Sequence, residues 1–372
     1  DGAIVSYRGF HPHMLGDTNY AFIREKNQWL LEIKEKEPFT SNRMDEFASN
    51  GIYYFKKGIY LKKYSNELFA QDNNINGEYY VSLVYNYLLE DKLKVSIYEI
   101  QHMLQWGTPK DLEEYKYWSR YFKNILKPKK KSLEKNNDYI LVPLAGRGSR
   151  FSDSGYLIPK PLIEVSGKPM VIQSAKSLPN SKKYIFVVLK EHLENYPIRK
   201  ILNNNFKHPT IIILDNVTEG QAITCSIGLR DINPKASLFI GASDNGMIYD
   251  ENKLQDLIEN DTLDVDVIIF TFRNNVSSEK NPHMYGWVKT DNDDNAKFVS
   301  VKIPISKNPY EDHAVVGSFW FRKIEYFNQG LSNLLKKDIK VNNEFYIDSL
   351  MNELIEMGLK VKVFEIDNYI CW

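Results

Sequence analysis

The chain has 372 residues, more than one average domain needs and enough to bury a large core. Its 48 Lys and Arg balance 48 Asp and Glu, which excludes a global field that would attract nucleic acid or an anionic membrane. Its two cysteines, Cys225 and Cys371, exclude a disulfide framework, and no apolar run reaches the roughly 18 residues that cross a bilayer.

The opening residues, DGAIVSYRGF, lack the basic start and apolar core of a signal peptide. With so few cysteines, this predicts a cytoplasmic location. No initiator Met is present, so the expectation is a chain with an upstream segment missing. His11 and His13 flank a proline with no carboxylate or cysteine cluster beside them, so they read as a turn near a pocket and not as a metal site.

Self-comparison organises the rest. Residues 78–100, EYYVSLVYNYLLEDKLKVSIYEI, match residues 344–366, EFYIDSLMNELIEMGLKVKVFEI, at an offset of 266. The same offset pairs Pro38 with Pro304, Gly51 with Gly317 and Trp106 with Trp372, while SYR (6–8) pairs with TFR (271–273) at 265. The expectation is therefore that residues 1–125 form the C-terminal half of a first domain, that the Lys-rich stretch 126–138 is a solvated linker, and that 139–372 form a second, nearly complete domain.

Within 139–372, short apolar runs read as buried strands: 139–144, 184–189, 210–215, 237–242 and 266–272. Helical patterns fall between and after them at 169–178, 192–204, 219–230 and 251–259. This order predicts an α/β fold with three layers and a doubly wound, mostly parallel sheet, with a partial second copy at the N-terminus. After residue 280 the stretches 284–291, 296–304 and 314–321 read as added, antiparallel strands, followed by a helix over 344–357 and a strand over 359–366.

The first strand runs into LAGRGSRF (144–151). Ligands of open α/β sheets bind beyond the carboxyl ends of the strands, and glycines there let backbone amides approach phosphate. The loop is followed by PKPLIEVSGKPM (159–170). Gly146, Gly148 and Arg150, then Pro159–Leu162, then Gly167–Met170 resemble the motifs of the sugar-phosphate nucleotidyltransferases (NDP-sugar pyrophosphorylases). The family resemblance implies a nucleotide site over Leu144, Ala145, Gly146, Gly148 and Ser149. It implies Arg150 on the β- and γ-phosphates and Lys160 near the reacting α-phosphorus. Such cations neutralise the charge that develops when an anionic acceptor attacks an anionic phosphate.

Further along, TEGQAITCSIGL (218–229) follows the third strand, and the resemblance implies that Gly220 and Gln221 touch the base and ribose. The plainer alternative is a helix start with Thr218 as its cap. Asp244, in ASDNG, stands at a carboxyl strand end where the family holds Mg²⁺, the expected cofactor and a hard cation that takes oxygen ligands. A second metal carboxylate expected near the domain end is replaced by Gln105 in the first copy and Cys371 in the second. On the acceptor side the resemblance implies Tyr285, Gly286, Lys302 and Glu344, the last at the start of a helix.

The expected activity is Mg²⁺-dependent transfer of a nucleoside monophosphate from an NTP to a sugar phosphate or similar metabolite, for surface polysaccharide precursors. The expected partners are the NTP and a phosphorylated small-molecule acceptor, with no nucleic acid and no membrane insertion, and homo-oligomerisation is left open. A non-catalytic nucleotide-binding or regulatory module and a nucleotide-sugar glycosyltransferase stand as alternatives.

Overall fold

The structure, a computed structural model, describes residues 1–11, 14, 20–125, 138–259 and 264–372. Most of the Lys-rich stretch, 126–137, and His13 lie outside them. The chain divides into two compact units, Asp1–Phe122 and Lys123–Trp372.

Unit 1 is built from β1 (Gly2–Tyr7), β2 (Ala21–Lys26), β3 (Trp29–Glu35), β4 (Phe47–Phe55), α1 (Gly58–Ala70), α2 (Val81–Glu90), β5 (Val95–Glu99) and α3 (Pro109–Ile125). Its five strands close into a barrel in the order β1-β4-β2-β3-β5. Inward residues Ile4, Ile23, Ile33 and Ile97 meet Leu83, Val84 and Leu88 from α2, so the apolar face of that helix is the plug of the core.

Unit 2 begins with β6 (Tyr139–Leu144), α4 (Ser149–Asp153), the short strands β7 (Glu164–Val165) and β8 (Lys168–Pro169), and α5 (Met170–Ser177). Next come β9 (Lys183–Leu189), α6 (Lys190–Asn195), α7 (Ile198–Asn205), β10 (Thr210–Leu214), α8 (Gln221–Gly228), β11 (Leu238–Ile240), β12 (Asn245–Ile248) and α9 (Glu251–Glu259). The remainder is β13 (Val267–Phe272), α10 (Val276–Lys280), β14 (Gly286–Thr290), β15 (Ala296–Val301), β16 (His313–Phe321), α11 (Ile324–Lys336), α12 (Ile347–Glu356), β17 (Val361–Glu365) and β18 (Asn368–Cys371).

Its main sheet runs β10-β9-β6-β11-β16-β13-β17, with β14 and β15 attached to β16. Alternation along β6 splits the core in two: Leu141 faces α8, α11 and α12, while Ile140 and Val142 face α5, α7 and α9. The three layers follow from that alternation. Pairing from β10 to β11 is parallel, and β16, which covers the stretch read as an added antiparallel strand, inserts antiparallel between β11 and β13. Pro197 splits the expected helix over 192–204 into α6 and α7.

One geometry occurs in both units. β1 pairs with β4 from Gly2 opposite Phe55, with a slip between Ile4 and Ser6. β13 pairs with β16 from Val267 opposite Phe321, with the slip between Ile269 and Thr271. Asn86 brackets both backbone groups of Ile33, as Asn352 brackets those of Val299. Arg8 pairs with Glu99, as Arg273 pairs with Glu365. Lys36 and Lys302 hold the same left-handed backbone, at φ 59° and 60°.

Candidate active site

The first strand of unit 2 delivers the glycine-rich loop to the carboxyl edge of the sheet. Leu144 and Ala145 are buried and anchor the loop, while Gly146, Arg147, Ser149 and Arg150 are exposed. Gly148 has φ +64°, and a Cβ there would lie 3.0 Å from the Cβ of Lys160. The glycine therefore admits Lys160 to the loop as well as turning the chain.

Lys160 is placed by its neighbours. Pro159 and Pro161 fix the backbone on either side, and Pro161 and Leu162 are buried as a short 3₁₀ turn, Lys160–Leu162. The ammonium lies 5.2 Å from the centroid of the Phe151 ring and is ion-paired with Oδ2 of Asp244. The Lys160 side chain is only 16 % exposed, so this pair is partly shielded from water.

Asp244 sits between two anchored residues. Ser174 of α5 donates to the carbonyl of Ala242 at 2.6 Å, and the Asn245 amide donates to the carbonyl of Val316 at 2.7 Å. Past Asp244 the chain forms β12, which pairs with β18 so that Asn245 lies opposite Cys371. Cys371 is exposed as a residue, yet its sulfur is crowded by protein, with the hydroxyls of Tyr285 and Tyr369 in bonding reach. That desolvation, with the Asp244 charge, pushes the thiol up.

The turn expected to read the base is joined to the segment expected to read the acceptor. Phe345 N–H donates to the carbonyl of Glu219 at 2.8 Å, and Ala222 N–H donates to the carbonyl of Phe345 at 3.1 Å. Gly220, at φ +117°, lies where a Cβ would stand 2.5 Å from the nitrogen of Phe345. Its glycine is required by the passing backbone. Gln221, half-buried, opens α8. Thr218 does not cap the helix: its hydroxyl bonds to the carbonyl of Gly220, and the cap residue is Gly220 itself.

Acceptor-side residues gather next to that joint, with two corrections. Glu344 does not start the helix. It lies in an exposed turn bridged to Val341, with Asn342 and Asn343 in left-handed conformations, and α12 begins at Ile347 after the extended Tyr346. Tyr285 is a core residue, 7 % exposed, with its ring edge-on to Phe272 and its hydroxyl toward Cys371. Gly286 is packed tightly: a Cβ there would lie 2.4 Å from Oδ2 of Asp348. Lys302 lies 4.9 Å over the Tyr346 ring, and the positive charge of Arg150 is felt by the same phenol.

Sequence reasoning missed Asp348 and Tyr346. Asp348, in the first turn of α12, has its carboxyl pushed up to about 6 by burial, with Lys302 pulling it back. The signal available was the repeat, in which Tyr346 matches Tyr80. In the first unit Lys36 lies 4.8 Å over Tyr80.

No three His, Cys, Asp or Glu side chains gather as a metal cluster among the described residues. Mg²⁺ commonly takes one or two carboxylates and completes its shell with water and substrate phosphates. Asp244 fits such an ion in the company of a bound triphosphate, whereas the neutral thiol of Cys371 does not. His11 is buried, its ring edge-on to Tyr7 and its Nδ1 3.4 Å from the carbonyl of Gly9. A cavity of about 650 Å³ between the β14–β15 turn and the α12–β17 loop is lined by none of these site residues.

No family model matches the chain. Two curated relatives, the 2-C-methyl-D-erythritol 4-phosphate cytidylyltransferases of Leptospira interrogans serovars copenhageni and Lai, are each 27 % identical over 103 residues. The match spans 27 % of this chain and 42 % of the length of those relatives. Among solved structures, the nucleoside-diphosphate-sugar pyrophosphorylase of Vibrio cholerae RC9 aligns over 62 % of this chain and 95 % of its own. Its TM-score is 0.51 and its identity 22 %. The chain thus carries the nucleotidyltransferase fold, and its similarity in sequence and structure lies with nucleotidyltransferases. No helix is long and apolar enough to cross a membrane among the described residues.

Proposed function

We propose that unit 2 transfers a nucleoside monophosphate from an NTP onto a phosphorylated small molecule, a sugar phosphate first of all, and releases pyrophosphate. The observation that carries this reading is the position of Lys160, admitted to the loop by Gly148 and ion-paired with Asp244. A cation there, with backbone amides on one side and a carboxylate on the other, suits a chain of phosphates.

In this reading the triphosphate lies along Gly146–Ser149, with Arg150 on the β- and γ-phosphates. Lys160 turns from Asp244 to the α-phosphate as an acceptor phosphate oxygen attacks phosphorus. The bond from the α-phosphorus to its bridging oxygen breaks, and that oxygen leaves with pyrophosphate. No general base is needed, because a phosphate acceptor is already ionised at neutral pH. Mg²⁺, held by Asp244, would supply charge neutralisation across the phosphates. Gln221 offers an amide to a base edge, and Lys302, Tyr346 and Glu344 are the groups available to the acceptor. CTP is the first nucleotide to test, since the curated relatives are cytidylyltransferases. The product would feed surface polysaccharide synthesis in the cytoplasm.

The test is a screen of NTPs against sugar 1-phosphates and related phosphomonoesters with pyrophosphate detection. Pyrophosphate formed with one pair supports the reading. Consumption of a nucleotide sugar without pyrophosphate would replace it with glycosyl transfer, and nucleotide binding without turnover would replace it with a regulatory module.

A further inference from the structure

The two units differ at one strand edge. In unit 2 the stretch Phe319–Phe321 of β16 is bonded on both sides, to β13 and to β11, with Phe239 opposite Trp320. In unit 1 the matching stretch, Tyr53–Phe55 of β4, pairs with β1, and its other edge is paired with no strand among the described residues. The side chains differ in the same way. Ile52, Tyr54 and Tyr98 are 58 %, 58 % and 65 % exposed, while their counterparts Ser318, Trp320 and Phe364 are 1 %, 2 % and 8 % exposed. What covers Trp320 and Phe364 is the half of unit 2 before β13: Phe239, Tyr249 and the apolar faces of α5 and α9. An open strand edge flanked by exposed aromatics is a template for pairing.

We propose that this edge and face of unit 1 receive a strand-and-helix half-domain built like residues 138–259, carried on the same polypeptide at the Asp1 side. Its counterpart of β11 would run antiparallel to Tyr53–Phe55. Its helices would cover Ile52, Tyr54 and Tyr98. Strand register and slip are identical in the two units, and the face that is occupied in unit 2 is open in unit 1. A second folded copy of this chain cannot offer its 138–259 half, which already pairs with its own β16. The docking stands on pairing geometry and is independent of the chemistry proposed above.

The test is a chain with residues 138–265 duplicated ahead of Asp1, followed by hydrogen exchange and tyrosine labelling. The amides of Tyr53 and Phe55 are expected to slow at least a hundredfold, and the Tyr54 and Tyr98 side chains to lose reactivity. Unchanged exchange and labelling, or an added segment that stays digestible, overturns the proposal. Tyr54→Lys is the companion variant. It should leave the melting temperature of the original chain unchanged within about 2 °C and abolish the new protection in the extended one. A Tyr54→Lys chain that unfolds without the added segment would show that the face is already covered, which also overturns it.

Discussion

The ammonium of Lys160 and the carboxylate of Asp244, 84 residues apart in the chain, are bonded directly at the mouth of the glycine loop. One arrives on a proline-framed turn, the other on the bend between β11 and β12, so two separate segments meet in one contact. If the pair serves nucleotidyl transfer, Lys160→Ala and Asp244→Ala each lower pyrophosphate release on the order of a hundredfold, as removal of a preorganised charge does. Steady-state assays beside a thermal melt check this, and near-normal turnover in either variant removes that residue from the mechanism.

Gly148→Ala separates the loop from Lys160 without touching a charge. The new methyl would press on the Lys160 Cβ at 3.0 Å from a backbone at φ +64°. Strain of about 1–2 kcal/mol is expected, with turnover ten- to hundredfold lower from misplacement. Unchanged kcat would mean that the loop and Lys160 do not act together.

Gly220→Ala breaks the joint between the 219–222 turn and Phe345. A Cβ 2.5 Å from the Phe345 nitrogen cannot be accommodated by a side-chain shift, because the obstacle is backbone. The loss is expected to be on the order of 2–4 kcal/mol, read from urea unfolding. A stability within 1 kcal/mol of the parent would show that the two segments are not locked.

Asp348 carries a pH signature. Its folded carboxyl is pushed from 3.8 up to about 6, so between those values the folded chain binds more protons than the unfolded one. Its contribution to stability therefore falls as pH rises through that window. Asp348→Asn cannot ionise. It should be more stable than the parent by about 1–3 kcal/mol at pH 7.5, with the difference vanishing near pH 4. Denaturant midpoints at the two pH values decide it, and an equal gap at both would contradict the shift.

Much of this was legible in advance. The strand 139–144 and the helix 251–259 fall where their apolar patterns predict. Periodicity is strong there because each buries a continuous face. What stayed hidden depends on contacts distant in sequence. β12 lies in none of the apolar runs read as strands and forms one where β18 arrives from residue 368 to pair with it. Tyr285 reads as an acceptor contact, but its ring is claimed by Phe272 and Tyr369. The motif glycines were read as serving a ligand; two of them, Gly220 and Gly286, also serve protein neighbours, Phe345 and Asp348, that no local pattern reveals.

The most direct measurement is a crystal structure of the chain with bound CTP or a slowly hydrolysed analogue and Mg²⁺. The account predicts three phosphates along Gly146–Ser149, with Lys160 drawn off Asp244 onto them and the base beside Gln221. Phosphates bound away from residues 144–160, with Lys160 still holding Asp244, would contradict it.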